Sequence, residues 1–344
     1  MYPPPVSVSL FVLVVLLLAD TTRLFADEWI RKADMPTARM FYGAAVVDDK
    51  IYAIGGMGNN FGLLYKTTEM YDPGKDEWQK KADMEIWRDF HCIEAVNCKI
   101  YAMGGLVMNN DWISSVEEYD PQKDEWIKKS DMPVGRSTSA STVLNGKIFL
   151  IGGWKLFVSF ADVYSYDPLA DKWERKADLP FVSDSGAACA LNGKIYYMGG
   201  SSAGGNMIPT TNVVEYDLAT DKWVRKSDMP RPRAGHCLAA VGQKIYAIGG
   251  HGLGNTVPII DVYDPQEDKW IREIEIPNPR SWFASAVIKD KIYMMGGSPL
   301  CDGFVLPCQI ALPLVEEFTP DGSNFSVYSQ DKLSSAWGFI KSDK

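Results

Sequence analysis

Short apolar runs recur along this chain at a nearly constant interval, and a glycine pair closes each one. Ile51-Tyr52-Ala53-Ile54-Gly55-Gly56 is the first copy. The others end in Gly104-Gly105, Gly152-Gly153, Gly199-Gly200, Gly249-Gly250 and Gly296-Gly297, at steps of 49, 48, 47, 50 and 47 residues. A second series, Trp29, Trp78, Trp126, Trp173, Trp223 and Trp270, keeps the same five spacings in the same order. Two independent markers in lockstep define one supersecondary unit made six times, with a period of about 50 residues.

Within a unit the apolar and polar positions read as four short strands. In the third unit a run of small and apolar residues covers 138–144, and Asn145-Gly146 is a two-residue hairpin turn. Lys147–Ile151 is the second strand and ends at the glycine pair, a variable loop follows, and 161–166 is the third. The turn Asp167-Pro168-Leu169-Ala170-Asp171 leads into a fourth strand at Lys172–Lys176. Regularly spaced short strands with turn signals predict an all-β fold.

The repeated residues have mechanical uses. A glycine pair lets a neighbouring chain approach where a Cβ would block it. Tyr71, Tyr119, Tyr166, Tyr216 and Tyr263, each with a Trp seven residues later, are suited to fill a wedge between sheets. The cations after each Trp, such as Lys80-Lys81, protect an outermost strand from edge pairing.

Gly-Gly, then Tyr-Asp-Pro, Trp, Met-Pro and Arg, as in Tyr119-Asp120-Pro121, Trp126, Met132-Pro133 and Arg136, resembles the kelch repeat, over about residues 27–328. The resemblance implies a six-bladed β-propeller of four-stranded antiparallel blades, with each first strand innermost and each fourth outermost. The sixth copy departs from the pattern, with Phe318-Thr319-Pro320 and Phe325 in place of Tyr-Asp-Pro and Trp. Residues 28–32 form a fourth strand with no others before it. They are therefore expected to pair with residues 315–318 and close the ring.

Composition and charge set the class of partner. The chain has 344 residues, 46% of them hydrophobic, and a net charge of −9, which argues against nucleic acid. Residues 6–19 are almost wholly apolar, too few to span a bilayer, and precede polar residues and a small residue at Ala26. The expected organisation is a signal peptide at 1–26, a propeller at 27–330 and a tail at 331–344. The expected product is a secreted or periplasmic monomer with no integral membrane segment after cleavage. Of six cysteines, Cys301 and Cys308 share the longest loop, 21 residues from Gly297 to Phe318, and are expected to form a disulfide. Cys92, Cys189 and Cys237 read as buried thiols, whereas Cys98 stands in the place of a turn glycine.

The resemblance also implies two kinds of propeller enzyme. A copper radical oxidase needs two His ligands and a Cys-linked Tyr. The three histidines, His91, His236 and His251, do not supply this, so no metal and no cofactor is expected. A sugar-modifying propeller of the N-acetylneuraminate epimerase type needs arginine and an acid or base near the axis. Arg39, Arg88, Arg136, Arg233 and Arg280 each lie 16 residues before their glycine pair. Five copies in register read as structural. In kelch propellers the loops from fourth to first strand and from second to third strand form the ligand face. There the copies vary, and Phe41, Asp89, Phe90, Trp154, Asp184, His251 and Trp282 are the expected ligand-binding residues. Trp87 and Trp112 fall in the same loops. The expectation is a non-catalytic module that binds a glycan or a protein at the propeller mouth. The alternative is the epimerase type.

Overall fold

The computed structural model describes residues 28–59, 63–108, 111–202, 208–299 and 310–320. The expected signal segment, the Cys301–Cys308 disulfide and the C-terminal tail lie outside the described residues. The rest forms six four-stranded antiparallel sheets, set as blades around an axis. The first strands, Gly43–Val47, Cys92–Val96, Ala140–Leu144, Ala187–Leu191, Cys237–Val241 and Ala284–Ile288, meet around that axis. They are rich in Ala, Gly, Ser and Cys, because six strands converge there and leave little room for side chains. Among the described residues the hydrophobic core divides into six clusters, one in each seam between neighbouring blades, and a smaller seventh around Met40, Phe41, Met57 and Ala311.

The ring closes as the pattern predicts. Glu28–Lys32 pairs antiparallel with Val315–Thr319, from Glu28 opposite Thr319 to Lys32 opposite Val315, and becomes the outer strand of the sixth blade. Trp29 stacks on Phe318 at 4.8 Å. The first strand of the third blade begins at Ala140 rather than at 138. Thr138 has a φ of 52°, which no strand accommodates. Asn145 and Gly146 both have positive φ, as a two-residue primed turn requires.

Five of the six seams are stitched on their outer side by the Tyr and Trp of the repeat. Trp78 lies 5.0 Å from Tyr71 and donates its indole N–H to the Ala33 carbonyl at 3.0 Å. The Tyr71 hydroxyl donates to Asp76, which also accepts the Ala33 backbone N–H. Tyr119, Asp124 and Trp126 repeat this on Ala82, and Tyr216, Asp221 and Trp223 repeat it on Ala177. Phe318 has no hydroxyl, so the sixth copy lacks the Tyr–Asp bond.

The inner side of each seam depends on the glycine pair. Gly56 N–H donates to the carbonyl of Arg88, in the next blade, at 2.9 Å. The same bond links Gly105 to Arg136, Gly153 to Ser183, Gly200 to Arg233, Gly250 to Arg280 and Gly297 to Arg39. A Cβ on Gly56 would lie 2.5 Å from Tyr42 Cβ and 2.7 Å from the Met40 carbonyl, so only glycine fits. Each repeat arginine, fully buried, also braces its own blade. Arg39 donates to the Gly55 carbonyl at 2.8 Å and to Glu69 at 2.7 Å. Arg88 pairs with Glu117, Arg136 with Asp162, Arg233 with Asp261 and Arg280 with Glu316. A buried guanidinium needs such a partner, since an unpaired one would carry the full cost of leaving water.

The fourth blade replaces arginine and acid together. Ser183 stands in the arginine position, and Val214 faces Tyr197 where Glu69 faces Ala53 in the first blade. Tyr197 fills the vacated volume and donates to Ser183 at 2.8 Å. Gly186 makes room for it, because a Cβ there would lie 2.2 Å from the Tyr197 hydroxyl.

If the buried pairs are structural, breaking one should cost more than removing both members. Arg88→Met alone is expected to destabilise the fold by about 3 to 5 kcal/mol, because Glu117 remains buried and charged. Arg88→Met with Glu117→Leu should recover at least half of that loss in chemical denaturation. A double variant as unstable as the single would contradict the assignment.

Candidate functional site

Two residues past the arginine position, every blade sends one residue to the axis. These are Phe41, Phe90, Thr138, Ser185, Gly235 and Trp282, with φ between 50° and 58°. Their backbones form a closed circle of hydrogen bonds. Phe90 N–H donates to the Phe41 carbonyl at 2.8 Å, Thr138 to Phe90 at 2.9 Å and Ser185 to Thr138 at 2.9 Å. Gly235 donates to Ser185 at 2.9 Å, Trp282 to Gly235 at 2.8 Å and Phe41 to Trp282 at 3.1 Å. A left-handed φ costs a bulky residue about 1 kcal/mol or more, and here the circle of bonds over-determines it.

The side chains on this circle divide it into two halves. Phe41, Phe90 and Trp282 pack together, with ring centroids 4.0, 5.2 and 5.4 Å apart. His251 extends the group, 5.5 Å from Trp282. Phe41 is buried against Met40, Met57 and Ala311, while Phe90 and Trp282 stay half-buried. Across the axis stand Thr138, Ser185 and Gly235, without an aromatic ring. A pocket of about 150 Å³ lies between the halves.

The other expected residues fall outside this circle. Trp154 sits in the third blade beside Trp112 at 5.3 Å and Phe157 at 5.9 Å, in a separate aromatic group. Asp89 and Asp184 occupy the tier just outside the circle, bridged to Leu106 and Ser201 after the glycine pairs. Asp184 accepts hydrogen bonds from Ser159 at 2.6 Å and Ser185 at 2.7 Å, and burial pushes its carboxyl up. Asp89 is almost fully buried and its Oδ1 has no protein partner. Burial pushes it up to about 8. Trp87 lies on the same face, about half exposed, under the Lys66 ammonium.

Below the circle lies an axial chamber of about 360 Å³, lined by the first strands. Sequence reasoning missed its chemistry. His91 and His236 line it from the second and fifth blades, and burial holds both well below the ordinary imidazole range, hence neutral. Glu94 is the one carboxylate among its lining residues. Burial pushes Glu94 up to about 7, against a 2.7 Å hydrogen bond from Ser141. The available signal was a charge inside a strand whose counterparts are uncharged. Cys92, Cys189 and Cys237 also line the chamber, their thiols pushed up to about 12, 12 and 11 by burial. Among the described residues no arginine lines the chamber or the mouth pocket, since the five repeat arginines are buried against acids of their own blades. Among the described residues no group of three His, Cys, Asp or Glu is placed to hold a metal.

A buried acid with a raised pKa gives a pH signature. The folded protein holds the Asp89 proton up to about pH 8, while the unfolded chain releases it near pH 4. That contribution to stability is therefore present in acid and lost as pH rises through about 8. Denaturation at about pH 5 and about pH 9 should show wild type losing more stability than Asp89→Asn. Equal losses would show that Asp89 titrates normally.

Comparison with known proteins agrees with this architecture. Residues 12–180 and 176–297 match the KLHDC2/KLHL20/DRC7 Kelch-repeats domain. Beta-scruin of Limulus polyphemus is 40% identical over 50 residues, a segment that spans 14% of this chain and 5% of that protein. The solved structure of YjhT superposes with a TM-score of 0.74 over 87% of this chain and 99% of that one, at 18% identity, a likeness of fold alone. The repeat signature, the six closed blades and the family match converge: the chain belongs to the Kelch-repeat family.

Proposed function

We propose that the protein is a binding module whose mouth takes the end of a glycan chain. The observation that carries this reading is the divided mouth. One wall is aromatic, from Phe41, Phe90 and Trp282, and the other offers Thr138 and Ser185. Apolar sugar faces stack on aromatic rings, and sugar hydroxyls exchange hydrogen bonds with the facing hydroxyls of Thr138 and Ser185. A protein ligand that presents a similar loop would use the same walls. The leader-like N-terminus supports a secreted location.

A sugar-modifying activity is the second reading, and Glu94 is what favours it. A carboxyl pushed up to about 7 on the axis has the ordinary character of a general acid or base. Against it, every repeat arginine is buried and paired with an acid of its own blade, and no arginine is among the described residues that line the mouth pocket to hold an anionic sugar.

A glycan array with the folded protein should find a ligand class. For that ligand, Trp282→Ala should cost about 2 kcal/mol or more, near thirtyfold in affinity, with the fold kept. Trp126→Ala, a seam residue, should instead cost about 3 to 5 kcal/mol of stability. Unfolding by Trp282→Ala as severe as by Trp126→Ala would reduce the aromatic wall to packing. Anomer exchange measured by NMR separates the two readings. Acceleration by wild type that Glu94→Gln abolishes would overturn the binding-only reading.

A further inference from the structure

The exposed apolar side chains of this protein are not spread evenly. Each of the six loops between second and third strands carries at least one on the mouth face. They include Leu63 (52% exposed), Met108 (54%), Phe157 (77%), Ile208 (50%), Leu253 (68%) and Ile310 (42%). The described residues of the same loops hold few charges, namely Lys66, Asp111, Lys155 and the Asp162 already paired with Arg136. The opposite face is the reverse. Its hairpin turns are built from Asp and Lys, as in Asp48-Asp49-Lys50 and Lys75-Asp76-Glu77.

The most prominent of these loops is shaped against local preference. Trp154-Lys155 pairs with Val158-Ser159, and Leu156 and Phe157 form the tip. Both tip residues have positive φ, 48° and 63°. A two-residue turn of that kind favours Asn-Gly, and Leu156 and Phe157 stay exposed there, Phe157 keeping an edge contact with Trp154 at 5.9 Å. Below the tip, Trp154 and Trp112 stand together, Trp112 on the neighbouring hairpin of Leu106–Val107 and Asp111–Trp112. The tip extends about two residues, near 7 Å, beyond that tryptophan tier.

We propose that the mouth face docks on a lipid bilayer. Leu156, Phe157 and Val158 enter the headgroup–acyl boundary, and Trp112 and Trp154 lie at headgroup level. Three observations favour a lipid surface over a protein groove. Exposed apolar residues among the described residues of all six loops fit a flat surface, whereas a groove would engage one sector of the ring. Nearly uncharged loops avoid the cost of desolvating ions, while the charged turns of the opposite face remain in water. An apolar tip above a tryptophan tier matches the depth order of an interface, where apolar groups enter by about 5 to 10 Å and tryptophan stays at the boundary. Docking does not depend on what the mouth binds, although it would turn the mouth toward membrane headgroups.

The test is co-sedimentation of the full chain with neutral phosphatidylcholine vesicles. The variant Leu156→Asn with Phe157→Gly installs the turn sequence that the backbone prefers, so the fold should be kept or strengthened. Wild type is expected to partition at least tenfold more strongly than this variant, and added salt should not weaken it. Leu169→Asn, on the opposite face and 87% exposed, should bind as wild type does. Equal partition of wild type and the double variant would overturn the proposal. So would an oligomer of wild type, formed without vesicles and abolished by the double variant, which would make this face an interface between copies.

Discussion

The structure depends on how closely neighbouring blades approach at the glycine pairs. Six backbone hydrogen bonds, from Gly56 to Arg88 and onward until Gly297 meets Arg39, hold each blade to the next. They form only because nothing projects from those glycines. Once the blades are that close, the first strands must be small, the arginines must be buried and paired, and the entry loops must converge on the axis. The inner circle of hydrogen bonds through Phe41, Phe90, Thr138, Ser185, Gly235 and Trp282 is the last consequence of the same approach.

That hierarchy explains what could be read from the sequence. Glycine pairs, seam tryptophans and tyrosines recur because every blade meets the same constraint, so the period, the blade count and the closing strand were all legible. The arginines were legible as structural residues, but their partners were not. The acids lie 26 to 36 residues further on, because the loop between differs in length in each blade. Asp162 is offset as well, two residues before Tyr164, which holds the strand position that Glu69 fills in the first blade. The exchange of arginine and acid for Ser183, Tyr197 and Val214 needed the strand register to be seen at all.

The site was legible in part for a similar reason. Departures from the repeat pointed to the loops, and the structure gathers Phe41, Phe90, Trp282 and His251 around one half of the mouth. Trp154 belongs to a separate group, because its loop forms a hairpin of its own beside Trp112. Asp89 and Asp184 turn into the protein one tier away from the circle. The circle itself is made of backbone groups, which a list of side chains does not reveal, and Glu94 was hidden inside a strand with an otherwise ordinary pattern. Seam residues pack the blades together, whereas axis residues line the pocket and the chamber.

The central claim is that recognition belongs to the axis and not to the repeat. Amide hydrogen exchange, followed with and without the bound ligand, tests it most directly. The account predicts slowed exchange at residues 40–42, 89–91, 137–139, 184–186, 234–236 and 281–283, with the outer strands unchanged. Protection confined to the outer strands or to the charged turns would contradict it.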